Sequence, residues 1–294
     1  MVRRASLEKS KMGVLGYLAL IIVLTFFMFP IYWLVITSFK PKMEWLVSPP
    51  YWFPRNPTIL NYLVILFPIK EGVEMVLGSY IVFKPATKAL IDSAIVAGLG
   101  TILAVVVGLL AAFAVSRHNI GGNSFMGLVL MLRMAPPMVA IIPLIVFYSL
   151  LGFTDTHHGL ILAYATFTMP YAVWIIKSFI DEVPRELEDS ARLDGLSPLA
   201  AHFKITLPLI KGGILATTLF IWILNWSEYL FALLLTHGNV VTLPVQITAY
   251  QTYAGLLYGP QAALAILAVI PLVVFGTTIR RYLARGLTFG AIRG

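Results

Sequence analysis

Long apolar stretches with almost no charge recur along the whole chain. The first covers residues 12–37, and its length exceeds the about 20 apolar residues with which a helix crosses a bilayer. Charged residues make up 12% of the chain, against about 25% in soluble domains. These stretches predict an all-α membrane protein.

We predict six transmembrane helices joined by polar segments. The predicted spans are residues 12–37, 90–115, 125–150, 159–180, 214–235 and 262–283. The predicted segments outside the membrane are a tail at 1–11, an outer loop at 38–86, a polar loop at 181–213, a second outer loop at 236–260 and a tail at 284–294. No small-residue cleavage site ends the first stretch, so we expect it to be retained as a helix.

The distribution of basic residues predicts the orientation. Fourteen of the 21 lysines and arginines lie in or beside the two tails, at Arg117 and around 181–213. Six lie in or near the long outer loop at 38–86, and the outer loops at 152–158 and 236–260 have none. Because basic residues accumulate on the cytoplasmic side, we place both termini and the 181–213 loop in the cytoplasm. The expected location is the cell's inner, cytoplasmic membrane. This distribution also accounts for the net charge of +8, so we expect no nucleic-acid partner.

Several classes of chemistry are missing from the sequence. The chain has no cysteine, no GxxxxGK[ST] stretch to hold ATP phosphates and no HExxH pattern to hold zinc. We therefore predict no catalytic residues, no metal site and no cofactor bound by this chain.

The 181–213 loop contains six of the chain's 13 acidic residues. Its helix start and stop signals predict two short helices joined at a corner. Pro184 suits the start of the first helix, and Gly195 suits its left-handed C-terminal residue. Ser197 and Pro198 suit the N-cap and first position of the second helix. On this chemistry alone, a solvated loop with amphipathic helices lying at the headgroups explains the segment as well as a functional element does.

The same loop resembles a motif of known transporters. Residues 189–191, Asp-Ser-Ala, are followed by Gly195 and then by Ile-Thr-Leu-Pro at 205–208. This spacing resembles the E-A-A…G…I-x-L-P loop of permease subunits of binding-protein-dependent ABC importers, although Asp and Ser replace the first Glu and Ala. The surrounding residues and the C-terminal RGLTFGAIRG are similar to the carbohydrate-uptake branch, to which the maltose permeases belong.

The resemblance implies a type I ABC importer permease fold and a coupling loop that docks into an ATPase subunit. It also implies a second permease subunit, two ATP-binding subunits that hold ATP and magnesium, and an external substrate-binding protein. The residues that it assigns to ATPase coupling are Glu186, Glu188, Asp189, Ser190, Ala191, Asp194, Gly195, Ile205, Leu207 and Pro208.

Polar side chains within the apolar stretches are candidates for a substrate path, because such groups usually face a bundle interior or water. The candidates are Arg133, Asn225, Trp226, Glu228 and Tyr229. An amide, a carboxylate and aromatic rings suit a polyhydroxylated ligand. Hydrogen bonds between helices of the same subunit, or a structurally paired arginine, explain these residues equally well.

The function that we predict is half of the translocation path of an ATP-driven importer for a sugar, oligosaccharide or polyol. The alternative is a secondary transporter driven by an ion gradient, a class that carries inverted repeats and acids at the midplane. Glu228 is the only acid well inside a predicted span, which favours the importer.

Overall fold

The computed structural model describes residues 13–67, 85–134, 136–252 and 255–290, and these residues form a helical protein. The helices are α1 (Val14–Ser38), α2 (Leu60–Leu66), α3 (Ala86–His118), α4 (Gly122–Met134), α5 (Pro137–Leu151), α6 (His157–Asp181), α7 (Arg185–Leu193), α8 (Pro198–Leu209), α9 (Lys211–Trp226), α10 (Leu230–Leu235), α11 (Leu243–Thr248) and α12 (Tyr258–Gly290). A 3₁₀ turn covers Lys42–Glu44, and the two-residue strands β1 (Gln251–Thr252) and β2 (Gly255–Leu256) pair antiparallel.

Four of the described helices are long and apolar enough to cross a bilayer: α1, α3, α6 and the Tyr258–Thr278 part of α12. Two further candidates are bent pairs. One joins α4 to α5 at 88°, and the other joins α8 to α9 at 78°. The described part of the chain therefore has four candidate spans, or six if each bent pair counts as one.

Two of the predicted apolar spans are interrupted in the structure. The run at 125–150 is divided between α4 and α5 at Pro136 and Pro137. Two consecutive prolines remove two helical N–H donors and crowd the preceding turn, which favours a break. The run at 214–235 is divided at Ser227–Tyr229, between α9 and α10. These breaks place polar backbone beside the predicted substrate-path residues.

Helices α3 and α6 pack against each other and form the centre of the fold. Small residues allow the close approach: a Cβ added to Gly108 would lie 2.4 Å from the Cβ of Ala172. The start of α9 lies equally close to α6, since a Cβ on Gly213 would lie 2.4 Å from the Phe179 ring. Helix α1 packs on α12 at the edge, and most of its surface is exposed.

Candidate functional site

The loop from Asp181 to Gly213 folds as the sequence predicts into two short helices with a corner between them. Pro184 precedes α7, and Gly195 has a φ of +91°, the left-handed conformation that ends the helix. The Ser197 hydroxyl accepts a hydrogen bond from the Ala200 N–H at 3.2 Å, and Pro198 is the first residue of α8. The corner is therefore set by local sequence.

The solvent-exposed face of this corner, called its outer face below, combines acids with large apolar side chains. Leu193 is 90% exposed. The other apolar residues exposed on α7 and α8 are Leu187, Leu199, Phe203 and Leu209. The exposed members of the predicted coupling set are Glu186, Asp189, Ser190, Asp194, Gly195 and Pro208. Apolar side chains grouped on a polar surface are typical of a contact site for another protein.

The inner face holds two members of the predicted set, Glu188 and Ala191, which are buried. The Arg117 Nε at the end of α3 lies 3.1 Å from Glu188 Oε2. The Thr206 hydroxyl donates to Glu188 Oε1, and His202 Nδ1 lies 3.5 Å from the same oxygen. Glu188 therefore connects α7 to α3 and α8 inside the chain and does not lie on the outer face.

The charges of this cluster depend on one another. Burial favours the neutral form of Glu188, but the Thr206 hydroxyl and the Arg117 guanidinium outweigh it and hold the pKa of this carboxyl below its ordinary value. Burial also lowers the pKa of His202, although Glu188 opposes this effect. The His202 ring is stacked on Phe113 of α3 with centroids 4.0 Å apart. We call Arg117, Glu188, His202 and Thr206 the coupling cluster.

A second set of contacts fixes the start of the loop to the same end of α3. The Ser116 hydroxyl donates to the Asp181 carboxylate, and Arg117 Nη2 donates to the Val183 carbonyl at 2.9 Å. Arg185 Nη2 donates to the Ser116 carbonyl at 2.7 Å. No local pattern in the sequence signals these contacts, because the partners lie more than sixty residues apart. These hydrogen bonds therefore fix the start of the loop to the end of α3.

The four predicted substrate-path residues whose side chains the structure describes, Asn225, Trp226, Glu228 and Tyr229, do not converge on one exposed surface. The Asn225 amide donates to Thr101 Oγ1 of α3 at 3.1 Å, and Trp226 Nε1 donates to the Ala268 carbonyl of α12 at 2.9 Å. Asn225 and Trp226 are buried. These contacts favour bonds between helices for both residues.

The remaining candidates for the substrate path are Glu228, Tyr229 and Arg133. The Glu228 carboxylate accepts the Phe231 N–H at 3.1 Å at the start of α10, so it acts as a helix cap. Tyr229 is 37% exposed and remains a candidate for the path. Arg133 lies on α4, and its side chain is outside the part of the chain that the structure describes.

Comparison with known proteins identifies the family. Residues 104–289 match the family described as "binding-protein-dependent transport system inner membrane component". The chain belongs to this family. It is thus a permease component of an ABC transport system in the cell membrane, as its coupling-loop motif predicts, and the ATP-driven importer is favoured over the ion-driven transporter.

Several relatives are similar along almost the whole chain. The trehalose/maltose transport system permease protein MalG of Thermococcus litoralis is 32% identical over 270 residues, which cover 91% of this chain and 92% of the relative. The inner membrane ABC transporter permease protein YcjP of Escherichia coli is 29% identical, with 97% of each chain covered. The diacetylchitobiose uptake system permease protein DasC of Streptomyces coelicolor is 28% identical, with 90% of this chain and 92% of the relative covered.

The fold is shared with a solved importer. A chain of a bacterial ABC transporter that imports the acidic polysaccharide alginate superposes with a TM-score of 0.72 at 15% identity, with 92% of this chain and 95% of that chain covered. The predicted importer permease fold is therefore confirmed at the level of architecture.

Proposed function

We propose that this chain forms half of the translocation path of an ATP-driven importer and receives the movement of an ATPase subunit through Asp181–Gly213. The observation that carries the proposal is the division of this loop into two faces. The outer face exposes acids and apolar side chains, among them Leu193, whereas the inner face is joined to α3 by the Arg117–Glu188 ion pair.

The contacts give a path for the movement. A partner that displaces the outer face pulls on Glu188 and Asp181, and both are bonded to residues at the end of α3. Helix α3 packs closely on α6 at Gly108 and Ala172, so the two helices move together. A packed interior transmits displacement because it has few voids to absorb it.

The complex that we propose contains a second permease subunit, two ATP-binding subunits and an external substrate-binding protein. ATP and magnesium belong to the ATP-binding subunits, and this chain itself binds no cofactor and catalyses no reaction. Membership of a binding-protein-dependent family supports this composition.

The substrate class that we propose is a sugar, oligosaccharide or polyol. Support comes from relatives whose names state trehalose, maltose and diacetylchitobiose transport. Such ligands carry many hydroxyl groups, and the half-exposed Tyr229 offers both a ring and a hydroxyl to them.

The topology that we propose has six spans with both termini in the cytoplasm. Four long helices and two bent pairs supply six candidates among the described residues. The bent pair α8–α9 brings the chain from the coupling corner into the membrane. The lysines and arginines of the two tails and of 181–213, against none in the outer loops at 152–158 and 236–260, support the cytoplasmic side.

Reconstitution tests the function. This chain, co-expressed with its neighbouring permease, ATPase and binding protein, should take up labelled sugar in vesicles only with ATP. Replacing the catalytic glutamate of the ATPase should stop uptake. Uptake by this chain alone under an ion gradient would instead support the secondary transporter.

A further inference from the structure

The chain that follows α1 turns back and lies against the helix that it has just left. The Tyr32 hydroxyl donates a hydrogen bond to the Trp52 carbonyl. The Trp52 ring centroid lies 6.1 Å from that of Phe29 and 6.1 Å from that of Trp33, and Phe53 lies 6.1 Å from Tyr32. Trp52 is thus held beside the last turns of α1.

The depth of this contact follows from helix geometry. Trp33 and Phe29 precede the last residue of α1, Ser38, by five and nine residues, so they lie about 7 and 13 Å below its end. The 25 residues of α1 span about 37 Å, and the hydrocarbon core is about 30 Å thick. A centred α1 extends about 4 Å beyond the core at each end. Trp52 therefore reaches the boundary of the hydrocarbon.

The two aromatic side chains at this depth are open to the surroundings. Trp52 is 58% exposed and Phe53 is 72% exposed, and Phe29 of α1, beside Trp52, is 46% exposed. Aromatic residues collect at membrane–water interfaces, where an apolar ring and a polar group suit the headgroup level. We propose that Tyr51–Arg55 forms an interfacial anchor that inserts Trp52 and Phe53 into the outer leaflet and presents Arg55 to lipid phosphate groups.

The backbone of the anchor suits a place with little water. The Lys40 ammonium donates to the Tyr51 carbonyl at 2.6 Å. The Glu44 carboxylate accepts the N–H groups of Arg55 and Asn56 at 2.9 and 3.0 Å. Irregular backbone near the hydrocarbon is tolerated only when its polar groups have partners within the protein, and here both side chains that supply them are buried.

Arg55 supplies the charge for the headgroups. Its side chain is exposed, and its guanidinium carbon lies 4.0 Å from the centre of the Tyr51 ring. A guanidinium donates two parallel hydrogen bonds to a phosphate while its alkyl stem lies on apolar surface. This chemistry fits a phospholipid headgroup next to the inserted segment.

The absence of cysteine from the chain allows a direct test. A Phe53→Cys variant of the whole complex carries a nitroxide label in discs of phosphatidylcholine and phosphatidylglycerol, and its collisions with oxygen and with a water-soluble nickel complex are measured. Val23→Cys, on the middle of α1, gives the hydrocarbon reference. Asn239→Cys, on an exposed loop, gives the aqueous reference.

We expect the label at residue 53 to have an oxygen-to-nickel collision ratio between the two references and at least threefold above the aqueous one. A ratio equal to that of Asn239→Cys would overturn the anchor. Protection that arises only when the external binding protein is added would assign the patch to that protein and also overturn it.

Two variants of Arg55 test its contribution to the anchor. With Arg55→Gln the ratio at residue 53 should shift toward the aqueous reference, whereas Arg55→Lys should leave it nearly unchanged. No shift in either variant would remove Arg55 from the anchor. The inference rests on the proposed topology for the crossing of α1 and for the choice of leaflet. An aqueous label in a complex with ATP-driven uptake would overturn the anchor alone, whereas an inserted label in a complex without such uptake would overturn the proposed function alone.

Discussion

Arg117 at the end of α3 and Glu188 in the first short helix of the coupling loop form a buried ion pair, with Nε and Oε2 3.1 Å apart. The two side chains are 6% and 10% exposed. Seventy-one positions separate them in the sequence (188 − 117 = 71). The pair therefore ties the loop for which we propose contact with the ATPase to α3, the helix at the centre of the fold.

Removal of one partner should uncouple transport. Arg117→Met leaves the Glu188 carboxylate buried without its counter-ion, and losing one partner of a buried pair costs about 3 kcal/mol or more. We expect uptake by the assembled complex to fall at least tenfold while its ATPase activity continues.

The double variant Arg117→Met with Glu188→Gln is the matched control, because it leaves neither charge alone. Its stability should recover most of the loss, although its uptake should stay low because the connection is missing. Full uptake by the single variant would show that the pair transmits nothing.

Substitution of Gly195 should reduce uptake because of the backbone conformation at this position and not because of crowding. Its φ of +91° is strained for any residue with a side chain, and a Cβ there would meet no atom within 4 Å. Gly195→Val should reduce uptake strongly while the complex still assembles, and Gly195→Asn should be milder because asparagine tolerates positive φ better. Equal uptake in both variants and the wild type would contradict a rigid corner.

Gly108 should be required for the contact of α3 with α6. A Cβ at this position would lie 2.4 Å from the Cβ of Ala172, whereas a Cβ at Gly98 on the same helix would meet no atom within 4 Å. Overpacking costs about 1–3 kcal/mol, so Gly108→Ala should lower the melting temperature of the complex and Gly98→Ala should not. The melting temperatures, measured in detergent, give the comparison.

Acidification should weaken the coupling cluster. The pKa of His202 is lowered, chiefly by burial, so the folded chain favours the neutral ring. Stability is therefore present above the ordinary histidine pKa of about 6.5 and is lost as the pH falls below it. Glu188, whose pKa is also lowered, adds to the loss at lower pH.

The measurement is the melting temperature of the complex between pH 8 and pH 5. We expect it to fall below about pH 6.5 in the wild type and to fall less in His202→Gln. An identical pH dependence in both proteins would exclude His202 as the cause.

Glu228 separates a structural role from a role in the substrate path. Its carboxylate accepts the Phe231 N–H at the start of α10, and loss of such a cap costs about 1 kcal/mol. We expect Glu228→Ala to lower the melting temperature while the assembled complex keeps most of its uptake. A selective change in the Michaelis constant for the substrate would instead place Glu228 in the path.

The sequence predicted the parts of the fold that depend on local chemistry. Gly195, Ser197 and Pro198 specify the corner through positive φ, a capping hydroxyl and a missing N–H, and each of these signals is complete within a few residues. The apolar length of α1 and α3 is likewise a local property.

Contacts between distant segments could not be predicted from the sequence. The spacing of acids in the loop gave no sign that Glu188 faces inward to Arg117 while Asp189 faces outward. Asn225 and Trp226 were predicted to line the substrate path because they carry polar groups within an apolar run. Only the positions of Thr101 and the Ala268 carbonyl show that both residues form hydrogen bonds between helices.

The side of the membrane on which Leu193 lies decides whether the 181–213 loop can contact a cytoplasmic ATPase. Leu193 is 90% exposed on α7, and the chain has no cysteine, so Leu193→Cys offers a single thiol to a membrane-impermeant maleimide. We expect the thiol to react only from the cytoplasmic side and to be protected by assembly with the ATPase. Reaction from the outside, in intact cells, would contradict this expectation.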